Sequence, residues 1–144
     1  MQPTTPIDSF SGQYEFLSNF YYNPITVNGV RFMTNENAFQ AQKCPERARE
    51  FVELTPGKAK RHGRTVKLRE DWNRIRLDLM YELNRRKFTE NDYLRTQLLK
   101  TGDRELIEGN YWNDTFWGVC KGTGQNHLGK ILMRIRHEIR EGII

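Results

Sequence analysis

Apolar and polar positions along the chain alternate first in short extended runs and then at helical spacing. The run Ile25-Thr26-Val27-Asn28-Gly29-Val30-Arg31-Phe32 alternates around Asn-Gly, the preferred two-residue turn between antiparallel strands, and predicts a hairpin. Directly after it, Thr34 to Lys43 predicts a helix with few apolar residues and a polar face. Thr34 is placed to cap its start, and Pro45 to stop or kink it after Lys43. Positions four and seven apart share a helical face, so Glu36, Gln40 and Lys43 line up on one side. A carboxylate, an amide and an ammonium in such a row make either an exposed salt-bridged face or one wall of a polar site.

Helical spacing dominates the rest. Glu46 to Leu54 predicts a second short helix, and Thr55-Pro56-Gly57 a helix start with proline in the first turn, leading into Lys58-Ala59-Lys60-Arg61-His62-Gly63-Arg64. Asp71 is the predicted cap of a longer helix with Ile75, Leu79 and Leu83 on one stripe and Trp72, Leu77 and Met80 beside it. Thr89-Glu90-Asn91-Asp92 resembles a capping box opening a helix through Leu98 and Leu99. Glu105 to Glu108 and Phe116 to Cys120 read as short strands, and Leu128, Ile131, Leu132 and Ile135 mark a last amphipathic helix. The strands do not alternate regularly with the helices. The expected fold is α+β, a mainly α-helical single domain over residues 9–144 with a β-hairpin and a few short strands, behind a loose leader at 1–8.

Composition adds bounds rather than identity. With 144 residues, 12% aromatic and 28% charged, the chain can bury one core and is not a disordered segment. It contains no apolar run of the roughly 18 to 20 residues that spanning a bilayer takes. Its start lacks the blocks of a signal peptide, so the expected location is the cytoplasm. A formal charge of +5 suits an anionic ligand such as a phosphorylated nucleotide or a nucleic acid, and suits a merely basic soluble protein as well. Cys44 and Cys120 have no metal-ligand spacing and are expected to be small semi-buried thiols, with no metal site.

Several segments carry candidate chemistry. Gly124 to Lys130 has the spacing of a P-loop, but Ile131 stands where magnesium needs Ser or Thr, which argues against a nucleotide triphosphatase of that type. The same glycines either cradle a phosphate with backbone N–H groups or form a tight turn into the helix. In Tyr111-Trp112-Asn113-Asp114-Thr115-Phe116-Trp117-Gly118, aromatic faces can stack a planar base while Asp114 holds a sugar hydroxyl or polarises a water. Against that, Phe116 reads as a core anchor, and Trp117 and Asp114 are equally balanced between site and structure. Trp72 reads first as core. The basic segment from Lys58 to Arg69 is a solvated face or a phosphate-facing patch. Of the acids, Glu36, Glu108 and Asp114 stand out.

Taken in order, Phe10; Phe16-Leu17-Ser18-Asn19-Phe20-Tyr21; the hairpin; Glu36 through Gln40-Ala41-Gln42-Lys43; Gly63-Arg64; Asp71-Trp72; Met80; Lys87-Phe88; Leu98 to Gly102; Glu105 to Glu108; Asp114 with Trp117-Gly118; and Gly122 to Lys130 resemble the NADAR family, also described as YbiA-like. The chain departs from that pattern at Asn37-Ala38, where an aromatic or histidine usually follows the glutamate, and at Cys120, where glycine is more usual.

The resemblance implies hydrolysis of an N-glycosidic bond to ribose, without a cofactor. The partners it implies are an ADP-ribosylated guanine nucleotide or nucleic acid, or a phosphorylated ribosylamino-pyrimidine of riboflavin synthesis. Glu36 is then expected beneath the anomeric carbon, where positive charge builds as the bond breaks. Lys43 is expected either as an amine nucleophile or as the cation that keeps Glu36 ionised. Asp114 would bind ribose hydroxyls or assist proton transfer. Trp72 and Trp117 would stack on base or ribose, and Asn19, Gly124 and Asn126 would help bind the sugar-phosphate. Phe20, Gln40, Arg64 and Gly118 complete the expected substrate-binding set. A non-catalytic ADP-ribose or nucleic-acid binding module is the alternative, using the same aromatics and basic residues without needing Glu36.

Overall fold

The computed structural model describes residues 4–144. Among them the architecture is α+β, with helices and two small two-stranded sheets. Two compact units are present, one comprising Asn19–Leu83 and the other joining the segment that ends at Ser18 to Asn84–Ile144.

In the Asn19–Leu83 unit, β1 (Tyr22–Val27) and β2 (Val30–Thr34) pair antiparallel, with Ile25 opposite Phe32 and Val27 opposite Val30. Asn28 and Gly29 lie at φ 50° and 79°, the left-handed pair that a two-residue hairpin turn demands and Asn-Gly supplies most readily. The register shifts between Tyr22 and Ile25, where Pro24 cannot donate to a ladder. Strand β2 runs straight into α1 (Asn35–Ala41), whose start is capped by the Thr34 hydroxyl accepting from Asn37 N at 3.1 Å.

All seven residues of α1 are buried. Its polar face is therefore internal, and the exposed salt-bridged alternative is excluded. The helix ends at Ala41, and Pro45 opens a 3-10 turn, Pro45–Phe51, in place of the predicted α-helix over Glu46 to Leu54. Arg47 leaves helical geometry there, and the carbonyls of Phe51 and Leu54 accept from the Asn37 amide, both at 2.8 Å, rather than from a further helical turn. Helix α2 (Pro56–His62) starts as predicted, with the Thr55 hydroxyl accepting from Lys58 N. Helix α3 (Trp72–Glu90) begins after Asp71, but its buried face differs from the predicted stripe. Trp72, Met80 and Leu83 are buried, Ile75 and Leu79 only half-buried, and Leu77 exposed.

In the other unit, the end of α3 buries Phe88 against Phe16 and Lys87 against the Ser18 carbonyl, to which its Nζ donates at 2.9 Å. Helix α4 (Asp92–Lys100) is capped by Asn91, whose side chain accepts from Leu94 N. Thr89, read as the start of a capping box, is instead the last turn of α3 and donates back to Arg85 O. Helix α5 (His127–Arg140) buries Leu128, Leu132 and Ile135, with Ile131 half-buried, and its buried Arg136 donates to Thr101 Oγ1 at 2.9 Å.

The predicted strands at Glu105 to Glu108 and Phe116 to Cys120 are displaced. The strands present are β3 (Gly109–Asn110) and β4 (Val119–Cys120), paired parallel. Side chains claim the donors a longer ladder would need: Asn126 takes Glu108 N, and Asp114 takes the N–H groups of Phe116 and Trp117. Of the expected leader, residues 1–3 lie outside the described residues. At its far end Ile7 is 2% exposed, donating to Glu105 O and accepting from Ile107 N, both at 2.8 Å. No helix among the described residues is long and apolar enough to cross a membrane.

Candidate active site

Seven of the expected site residues, Asn19, Phe20, Glu36, Gln40, Lys43, Arg64 and Trp72, belong to the Asn19–Leu83 unit. Glu36 sits in the first turn of α1, its N–H donating to Asn19 O at 3.0 Å. One turn later Gln40 Nε2 donates to Glu36 Oε2, also at 3.0 Å, in a buried setting. Gln40 Oε1 is buried and accepts no hydrogen bond, so the carboxamide is held there for its donor. Gly63 makes room for it. A Cβ at Gly63 would overlap the Gln40 carboxamide, although the backbone there (φ −60°) is one that any residue adopts. The glycine serves close approach rather than a turn.

Lys43 lies just past the end of α1. Its Nζ stands 5.9 Å from the centroid of the Trp72 ring, a cation–π distance. Burial lowers the Lys43 pKa below that of an ordinary lysine, Glu36 opposes the shift, and Arg64 and Lys60 add to it. Glu36 is thus bonded to the Gln40 amide and acts by charge on the Lys43 amine. Trp72 is 5% exposed and packs on Phe39 with centroids 4.9 Å apart, which fits its reading as core. Asn19 is buried, with Nδ2 donating to Met80 Sδ, whereas Phe20 and Arg64 are exposed.

The remaining five, Asp114, Trp117, Gly118, Gly124 and Asn126, belong to the other unit. Asp114 Oδ1 accepts from Phe116 N at 3.1 Å and Trp117 N at 2.9 Å, and its own main chain is held at both ends by the Asn110 carboxamide. The half-buried Trp117 ring stands at 88° to Phe116. Phe116, expected as a core anchor, is only half-buried, because its ring packs on His127 at the surface-facing start of α5. Gly118 is buried against Glu108, whose carboxylate and carbonyl leave no room for a Cβ.

Asn126 is left-handed at φ 54° and precedes α5. Its carboxamide fastens the start of α5 to the 106–108 segment, donating to Leu106 O and accepting from Glu108 N, both at 2.9 Å. In the glycine-rich loop the N–H groups of residues 125 to 128 donate in succession to the carbonyls of Thr115, Gly118, Phe116 and Trp117, which ties this part of the loop into a tight turn and engages those four donors within the chain. Sequence reasoning missed Asn110, whose amide also donates to Glu108 Oε2 and for which a small amide among turn residues was the available signal. Asn37, within α1, stood out only as a departure from the family pattern and not for its amide bonds to Phe51 O and Leu54 O. Both cysteines are buried free thiols, and the described residues contain no group of three His, Cys, Asp or Glu able to hold a metal ion.

Residues 8–140 match the NADAR domain family model. A riboflavin biosynthesis protein of Vibrio vulnificus is 42% identical over 88% of this chain, which spans 36% of that protein's length. N-glycosidases of Nostoc punctiforme and Escherichia coli are 38% and 37% identical, over 88% and 91% of this chain and 86% and 85% of their own lengths. The NMR structure of the E. coli protein YbiA superposes with a TM-score of 0.84 at 35% identity, covering 99% of this chain and 89% of that one. With family model, sequence relatives named N-glycosidases and a solved structure all agreeing along almost its whole length, the chain belongs to the NADAR domain family.

Proposed function

We propose that this chain hydrolyses the N-glycosidic bond between ribose and a base. Its substrates are ADP-ribosylated guanine, in nucleic acid or as a nucleotide, or phosphorylated ribosylamine intermediates of riboflavin synthesis. The observation that carries the reading is the buried carboxylate of Glu36, held by the Gln40 amide inside a fully buried helix. Breaking a ribosyl C–N bond builds positive charge at C1′, and an ionised acid beneath that carbon stabilises it and orients the attacking water. The names of the relatives support the same reaction class. Two unbridged, buried thiols suit a reducing compartment, the cytoplasm.

Lys43 has a second role in this reading. Its lowered pKa favours the neutral amine that could add to the C1′ aldehyde of an opened ribose, with loss of water to form a Schiff base. Borohydride during turnover would then trap a lysine–ribose adduct that Lys43→Arg abolishes. Activity in Lys43→Arg with no adduct in the wild type would leave Lys43 as the counter-charge of Glu36.

The deciding experiment incubates the protein with ADP-ribosylated guanosine, ADP-ribosylated DNA and a ribosylamino-pyrimidine phosphate, and identifies the released base by mass spectrometry. Release that Glu36→Gln abolishes while substrate affinity is kept supports the hydrolase. Binding without release of base or sugar from any of the three would make the chain an ADP-ribose or nucleic-acid binding module.

A further inference from the structure

We propose that Tyr111 and Trp112 form a stacking platform for the bases of single-stranded nucleic acid, a binding site separate from the groups assigned to bond cleavage. Tyr111 is 87% exposed and Trp112 47%, and their rings meet edge to face with centroids 5.1 Å apart. Tyr111 almost wholly and Trp112 in part, the two rings face water and give up burial energy that a fold otherwise collects, and adjacent rings of this kind present flat faces to a planar partner.

The tip that carries them is pre-formed. On either side of the pair, Asn110 and Asp114 are bonded to each other twice, Nδ2 to Asp114 O at 2.8 Å and Asp114 N to Oδ1 at 3.0 Å. The Asp114 carboxylate fastens the far side of the turn through the N–H groups of Phe116 and Trp117. Asn113 closes the tip at φ 66° and accepts from the Cys120 thiol at 3.8 Å. A partner therefore meets an ordered surface and does not have to restrict a loose loop.

Charge favours a polyanion over a protein partner. The thiol contact sets the tip beside the turn that begins at Lys121, which is exposed. Of the two acids at the tip, Asp114 already receives two backbone N–H groups and Glu108 the Asn110 amide, and the chain as a whole carries +5. Bases of a duplex are already stacked, whereas those of a single strand offer open faces, so the platform selects unpaired strands. The site does not rest on the role of Glu36.

The test measures anisotropy of a short fluorescein-labelled oligothymidine with the full chain at low salt, against the same strand in duplex. The wild type should bind the single strand more tightly than the duplex. The Tyr111→Ala, Trp112→Ala double variant should bind it about 10- to 100-fold more weakly at an unchanged melting temperature. Tyr111→Phe with Trp112→Phe, which keeps both rings, should retain most of the affinity, and turnover of a mononucleotide-sized ribosylated substrate should not change in any of them. No single-strand binding by the wild type, or equal affinity in the double variant, overturns the proposal. So does a concentration-dependent dimer that the double variant abolishes without altering oligonucleotide affinity, which would make the pair a contact between copies of the chain.

Discussion

Gln40 Nε2 donates to Glu36 Oε2 across 3.0 Å, one turn apart on a helix with no exposed residue. An amide donor stabilises the ionised acid without neutralising it, which is what charge stabilisation at an anomeric carbon needs. Glu36→Gln keeps the shape of the site but removes the charge. It should lower kcat for release of the base by about 100- to 1000-fold while leaving substrate affinity close to that of the wild type. Equal losses in affinity and rate would mean that Glu36 serves binding alone.

Gly63 controls the same pair from outside the helix. A methyl group there must displace the Gln40 carboxamide, and with it the donor to Glu36. Gly63→Ala should cost about 1–3 kcal/mol in denaturant unfolding, as overpacking a buried position does. It should also lower kcat although residue 63 carries no functional group. Gly63→Ala combined with Gln40→Ala, which removes the collision, should recover stability but not rate.

The row Glu36, Gln40, Lys43 was legible because helical spacing alone puts those positions on one side, and the Thr34 cap and the Asn-Gly turn are local signals with local causes. The burial of that row was not legible. Nothing within Asn35–Ala41 says whether its polar face meets water, since the answer lies in Asn19, Phe51, Leu54 and Gly63, far along the chain. The displaced strands around Glu108 and Phe116 fail for a related reason. Their backbone donors go to the side chains of Asn126 and Asp114, and a propensity reading of the strand residues cannot include them. Loop 122–128 shows both sides: the glycines announce a turn, while the pairing of the N–H groups of residues 125–128 with the carbonyls of residues 115–118 appears only in three dimensions.

Lys87 should make stability depend on pH. It is 2% exposed, and burial pushes its pKa from 10.5 down to about 7. Below about pH 7 both folded and unfolded chains carry the charge, and the folded one bears the cost of burying it. Between about 7 and 10.5 the unfolded chain holds more protons than the folded one, so stability rises with pH, by up to about 1.4 kcal/mol per unit from this group. Lys87→Met removes that contribution. The offset between the two proteins also contains the lost bond to Ser18 O, but its pH dependence does not. Unfolding free energies from pH 6 to 10 should therefore show the variant's stability falling relative to wild type as pH rises. A constant offset would show that Lys87 stays charged throughout.

Asn126 joins backbone geometry and side-chain bonding at one position, and its variants separate the two. Its φ of 54° costs a residue with a Cβ about 1–2 kcal/mol, and its carboxamide satisfies Leu106 O and Glu108 N together. Gly129 lies close beneath, where a Cβ would strike the amide and the Leu106 carbonyl. Asn126→Ala meets both penalties and should lose about 2–4 kcal/mol of unfolding free energy, since each buried group left unpaired costs about 1–3 kcal/mol. Asn126→Gly adopts the left-handed backbone freely and should be the less destabilised by about 1 kcal/mol. Asn126→Asp keeps an acceptor for Glu108 N but sets a carboxylate against Leu106 O, so it should fall as low as alanine and recover partly at acidic pH, where the protonated acid can donate. If glycine and alanine prove equally destabilised, the backbone conformation contributes nothing and the amide bridge alone holds the start of α5.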